Sequence, residues 1–143
     1  MSNEIIKQVS QTAQTAFRRF QNGWKTGDFA DYLLMITDEF EFSFPTGEHR
    51  GIFKGKMGRE KMIQKCRADA ANGARLILHE PRTIAVDKNT VIFEFESEGN
   101  FGEYKYNGRN IIVLKIENEK VCGFREYFGD LDPQFFAGED NRE

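Results

Sequence analysis

Tyr104-Lys105-Tyr106-Asn107-Gly108-Arg109-Asn110-Ile111-Ile112-Val113-Leu114-Lys115-Ile116-Glu117-Asn118-Glu119-Lys120-Val121-Cys122-Gly123-Phe124-Arg125-Glu126-Tyr127-Phe128 reads as two long strands. Both arms are rich in aromatic and β-branched residues, and Asn118-Glu119 between them suits a tight turn, so the stretch predicts an antiparallel hairpin. Just upstream, Val91, Phe93 and Phe95 alternate with Ile92, Glu94 and Glu96, which is the period of a strand with one buried face. Asp87-Lys88-Asn89 supplies the turn before it, and Leu76 to Val86 reads as a further strand that Pro81 can break.

The first half of the chain reads differently. Ile5, Val9, Ala13, Ala16, Phe17, Phe20 and Trp24 recur at three- and four-residue steps, which predicts one face of a long helix ended by Gly23 and Gly27. Asp28 is placed to cap a second, short helix running to Met35 or Ile36. Phe40, Phe42 and Phe44 then alternate with polar residues, which predicts a half-buried strand stopped at Pro45-Thr46-Gly47. Residues 47–58 are expected as a glycine-punctuated loop. A third helix follows from about Arg59 to Asn72, with Gly73 as its stop. Helices first and hairpins afterwards indicate an α+β class. The expected architecture is a cone: a curved, mostly antiparallel sheet wrapped around the long N-terminal helix, with two further short helices. Residues 1–130 form the expected single domain, and 131–143 an acidic tail whose Phe135 and Phe136 could dock.

Composition narrows the function classes. The chain has 143 residues, 39% hydrophobic and 30% charged, enough for a core without metals or disulfides. A formal net charge of −3 argues against nucleic acid as a partner. Phe supplies 14 residues, and Phe has no polar handle, so the enrichment belongs to a core or an apolar cavity. Cys66 and Cys122 form no C-x-x-C pattern, which excludes a zinc ribbon. Two isolated thiols, no signal-like stretch in Met1 to Gln8 and no apolar run near 18 residues lead to an expectation of cytoplasmic location and no membrane partner.

Few constellations could carry chemistry. Gly51-Ile52-Phe53-Lys54-Gly55-Lys56 is one residue short of a phosphate loop, and Met57 stands where Ser or Thr should be. His49 and His79 lie far apart, and Glu80 beside His79 points to the opposite strand face, so no metal site is expected. The basic run over residues 48–67 is either a solvated helix face or a means of drawing an anion to a cavity mouth. The last strand is the most informative. Phe124, Glu126 and Phe128 share one face, so Glu126 becomes a carboxylate in an apolar wall if that face is inward. Burial raises such a group's pKa and suits it to general acid or base work, although Tyr104, Tyr106 or Asn110 could instead hold it as a structural acceptor. Tyr104, Tyr106, Gly108, Asn110 and Ile112 share a face of the preceding strand; Arg109 and Arg125 point outward beside Glu94 and Glu96.

Tyr106 to Val113, Ile116 to Val121 and Phe124 to Asp130 together resemble the C-terminal signature of SnoaL-like proteins, of the ketosteroid-isomerase-like, nuclear transport factor 2-like superfamily. Phe20 to Asp28 resembles that family's first helix and glycine-aspartate turn, and Phe40 to Gly47 its first strand. The resemblance implies the cone fold and, in relatives, homodimers paired through the outer face of the sheet. It implies less about function, because one fold hosts isomerases, cyclases, dehydratases and binders. The polar groups of ketosteroid isomerases match Phe20, Phe44 and a position near Ile112 here, so that machinery is missing. The segment Arg125 to Phe128 also resembles phenazine-biosynthesis relatives, which implies an acid-base role for Glu126.

Two readings follow. In the first, Glu126 moves a proton on a small, largely apolar substrate, cyclic or open-chain, while Asn110 and Tyr106 or Tyr104 orient an oxygen. The wall is Phe17, Phe20, Trp24, Phe42, Phe44, Phe93, Phe95, Tyr104, Phe124 and Phe128, and neither metal nor organic cofactor takes part. The reaction is isomerisation, cyclisation, dehydration or condensation. In the second, the domain binds a ligand or pairs as a dimeric scaffold without chemistry.

Overall fold

The computed structural model describes residues 3–130, so the expected tail and the docking of Phe135 and Phe136 lie outside the described residues. The elements in chain order are α1 (Asn3–Thr26), α2 (Ala30–Leu33), β1 (Ile36–Phe44), β2 (Gly51–Phe53), α3 (Gly55–Ala71), β3 (Arg75–Leu78), β4 (Arg82–Asp87), β5 (Thr90–Phe101), β6 (Tyr104–Glu117) and β7 (Lys120–Asp130). The seven strands make one curved, open sheet ordered β2-β1-β7-β6-β5-β3, with β4 also paired to β5. All pairings are antiparallel except β1 with β7. The α+β expectation, with a long N-terminal helix and a curved, mostly antiparallel sheet, therefore holds.

Helix α1 lays its buried face (Ala13, Ala16, Phe17, Phe20 and Trp24) against the sheet. The stripe fades toward the N-terminus, where Ile5 is about half exposed (49%). The helix runs past Gly23 and stops at Gly27, whose φ of +85° is left-handed backbone that glycine adopts without strain. The Asp28 carboxylate accepts from the Ala30 N–H at 2.9 Å, but the N-cap position falls to Phe29, which makes no side-chain cap bond, so the expected capping by Asp28 is not met. The helix that follows is one turn only, because Ile36 already belongs to β1.

Two sequence expectations fail between residues 47 and 59. Ile52 and its neighbours pair with β1 as a short edge strand rather than a loop, and α3 starts at Gly55, four residues early. Gly58 explains the second miss. A Cβ there would lie 1.8 Å from the Phe40 carbonyl oxygen, so this glycine lets the helix sit directly on β1 and is a contact, not a breaker. Pro81 does break the Leu76–Val86 run. Its two halves pair with different parts of β5: Arg75–Leu78 with Ser97–Asn100, and Arg82–Asp87 with Thr90–Glu94.

Inward residues of β1, β5, β6 and β7 and the buried face of α1 form one aromatic core. Phe17 packs against Phe93 and Phe95, with ring centroids 5.3 and 5.0 Å apart. Phe20 meets Tyr32 at 5.0 Å and Phe124 at 5.4 Å. These rings fill one part of the cone, and their tilted contacts add to simple area burial.

Candidate functional site

Where the aromatic filling stops, a cavity of about 210 Å³ remains between α1, α3 and the concave face of the sheet. Its walls include Phe20 and Trp24 from α1, Phe44 from β1, Lys65 and Asp69 from α3, Leu76 and Leu78 from β3, and Phe95 and Ser97 from β5. Phe101, Tyr106, Asn110, Glu126 and Phe128 complete the sheet side, and Thr46, Gly47, Glu48 and His49 of the β1–β2 connection reach the lining as well.

Alternation places the polar centre. Ser97, Asn110 and Glu126 stand on three adjacent strands, all on the concave face, and all are buried. The Ser97 hydroxyl donates to Asn110 Oδ1 at 2.7 Å, and Asn110 Nδ2 donates to Glu126 Oε2 at 2.9 Å. The serine donor sets the amide orientation, and the amide fixes one carboxyl oxygen. Among the described residues Asn110 is the hydrogen-bond partner of Glu126, which leaves Oε1 for whatever enters the cavity. Burial raises the Glu126 pKa from its ordinary value of 4.5; the positive charge of Lys65 and the Asn110 bond work against that rise, and Asp69 adds to it. Tyr106 stands beside this chain with its phenol pKa also raised, first by burial and then by the charge of Glu126.

Ser97, Lys65 and Asp69 are functional candidates that sequence reasoning missed. Lys65 Nζ lies 2.8 Å from Asp69 Oδ2, 4.8 Å from the Trp24 ring centroid and 5.4 Å from that of Phe44. Lys65 is only 8% exposed, which is rare for lysine unless paired. The signal for Lys65 was present: Gly58, Met62, Lys65 and Cys66 fall on the buried stripe of one helix, with Asp69 one turn further on.

The other expected wall residues divide. Phe20, Trp24, Phe44, Phe95, Tyr106, Asn110, Glu126 and Phe128 line the cavity. Phe17, Phe42, Phe93 and Phe124 share the inward face but lie in the packed core, away from the cavity lining. Tyr104 has the predicted parity yet sits at the start of β6, beside the hairpin turn; it is 53% exposed and its hydroxyl donates to the Asp130 carboxylate. The expected charged outer face is met in part: Arg109 pairs with Glu96 at 3.4 Å, but Glu94 meets Arg82 at 3.5 Å, and Arg125 lies 5.8 Å from the Tyr127 ring centroid. His79 meets Glu98 at 3.6 Å while Glu80 pairs with Arg18, and no group of three potential metal ligands occurs among the described residues. No described helix is long and apolar enough to cross a membrane.

Comparison with known proteins agrees with this architecture. Residues 17–124 match the family model of the SnoaL-like domain. An NTF2-like protein from Anabaena variabilis superposes with a TM-score of 0.78 at 28% identity, over 90% of this chain and 94% of that one. A candidate SnoaL-like polyketide cyclase from a Jannaschia species gives 0.68 at 13% identity, over 96% and 94%. A phenazine biosynthesis-related protein from Pseudomonas aeruginosa gives 0.68 at 12%, over 90% and 86%. The search of curated proteins returned no match. With three quarters of its length inside the family model and the cone architecture on both sides of the comparison, the chain belongs to the SnoaL-like family of the nuclear transport factor 2-like superfamily.

Proposed function

We propose that this protein binds a small, largely apolar, ring-sized molecule in the 210 Å³ cavity and moves a proton on it with Glu126. The support is one placement: a buried carboxyl group on the cavity wall, fixed through one oxygen by Asn110 and open through the other. An apolar cavity of about 150 Å³ holds benzene, so this one suits a single ring with a substituent. The reaction class is acid-base isomerisation, cyclisation, dehydration or condensation that draws on no cofactor. Glu126 carries the proton, the aromatic wall excludes water, and Tyr106 offers a phenol to a substrate oxygen. The fold commonly binds small ligands and includes isomerases and cyclases, which agrees with this reading.

A second reading, a non-catalytic ligand-binding domain, draws on the bond that satisfies Glu126 within the fold. Glu126→Gln separates the two. The amide keeps an acceptor for Asn110, so folding and ligand binding persist in either case. In the enzyme, turnover is lost. In the binder, ligand affinity and every other property stay as they were. A large fall in melting temperature would instead assign Glu126 a structural role. Pairing as a homodimer through the outer face of the sheet remains part of the proposal, and a monomeric mass in solution would count against it.

A further inference from the structure

We propose that Lys65 is an anion anchor, so that the cavity takes a single-ring molecule carrying one carboxylate; this rests on the cavity being the ligand site proposed above. An ammonium has three N–H donors. Among the described residues only Asp69 accepts from Lys65, at 2.8 Å. Trp24 and Phe44 face the cation at 4.8 and 5.4 Å; they attract its charge but offer no lone pair in the ordinary sense. A buried ion pair is costly to desolvate unless its remaining protons are also bonded. Here the unmet donors border a cavity whose other polar wall is the Ser97–Asn110–Glu126 chain.

A ring carboxylate meets each demand. Its oxygens accept from Lys65, and its ring lies among Trp24, Phe44 and Phe20. Charge selects a monoanion. Lys65 supplies the one ammonium for it, and burial raises the Glu126 pKa, which lessens that carboxyl's repulsion of an anion. A doubly charged phosphate would bring a second negative charge, and the described lining holds no Lys or Arg besides Lys65 to meet it; a volume of about 210 Å³ suits one ring with a substituent.

The test is isothermal titration with benzoate and with benzamide, its neutral counterpart of the same shape. The wild type is expected to bind benzoate about tenfold or more tightly, the scale of a hydrogen bond to a charged group. The double substitution Lys65→Met with Asp69→Leu removes both charges, leaves no orphaned carboxylate, and is expected to abolish the preference while keeping benzamide affinity. Asp69→Asn, the milder variant, leaves Lys65 without its counter-ion and is expected to strengthen the preference. Equal affinities in the wild type, a preference that survives the double substitution, or one that falls in Asp69→Asn would overturn the anchor and leave the ligand cavity standing. If neither probe binds, both the anchor and the ligand-site reading fail.

Discussion

Replacing Asn110 by Leu should cost stability in a pH-dependent way, and the dependence follows from what Asn110 touches. Its amide accepts from Ser97 and donates to Glu126, and all three side chains are buried. Leucine fills most of the space but makes neither bond. Orphaning the Ser97 hydroxyl costs ~1–3 kcal/mol at any pH. The donor lost by Glu126 matters only when the carboxyl is ionised, where a bond to a charged group is worth ~1.5–3 kcal/mol. Burial already holds the folded Glu126 above its ordinary 4.5. Wild-type stability from this group is therefore complete below that value and is lost as pH rises through the raised one. The Asn110 bond opposes the rise, so its removal extends the loss to higher pH. The difference between wild type and Asn110→Leu should thus be the flat Ser97 cost alone at pH ~4 and grow by a further ~1.5–3 kcal/mol once the wild-type carboxyl has ionised. Urea unfolding at stepped pH measures it, with Ser97→Ala as a control whose cost is flat. A difference that stays constant with pH would refute the coupling of Asn110 to a titrating Glu126.

Three other outcomes follow from packing and burial. Gly58→Ala places a methyl 1.8 Å from the Phe40 carbonyl oxygen and 2.6 Å from that of Phe53, so α3 must lift from β1; thermal melts should show a loss of at least ~3 kcal/mol, beyond the usual cost of overpacking because backbone cannot yield. Gly108→Ala drives a methyl to 2.0 Å from the Tyr106 hydroxyl, which should push the phenol from the cavity wall; ligand affinity should fall with a stability loss of only ~1–3 kcal/mol, read by titration beside a melt. Burial pushes the Cys66 thiol up to about 12, so iodoacetamide at pH 8 should leave it unmodified until the protein unfolds, as mass spectrometry of the labelled peptide would show.

Much of the architecture was legible because its signals are periodic. Alternation through Val91, Phe93 and Phe95 and through Phe124, Glu126 and Phe128 assigned the inward faces, and parity alone put Asn110 and Glu126 on one wall. Parity says nothing about depth. Tyr104 shares that face yet sits beside the hairpin turn, clear of the cavity, while Phe42, Phe93 and Phe124 are taken up by the core. Lys65 was hidden by its neighbours. Six other basic residues share its segment, and only the helical stripe through Gly58, Met62 and Cys66 marks it as the one that turns inward. The β1–β2 connection that reaches the cavity carries no periodic signal, so its Thr46 to His49 segment could be found only in three dimensions.

The most direct test of a proton-carrying Glu126 inside a ligand cavity is a site-resolved NMR titration of its side-chain carboxyl carbon, with and without benzamide. The midpoint is predicted to lie above 4.5 in the free protein and to move when the probe fills the cavity. A midpoint at or below 4.5 that ignores the probe would contradict the account.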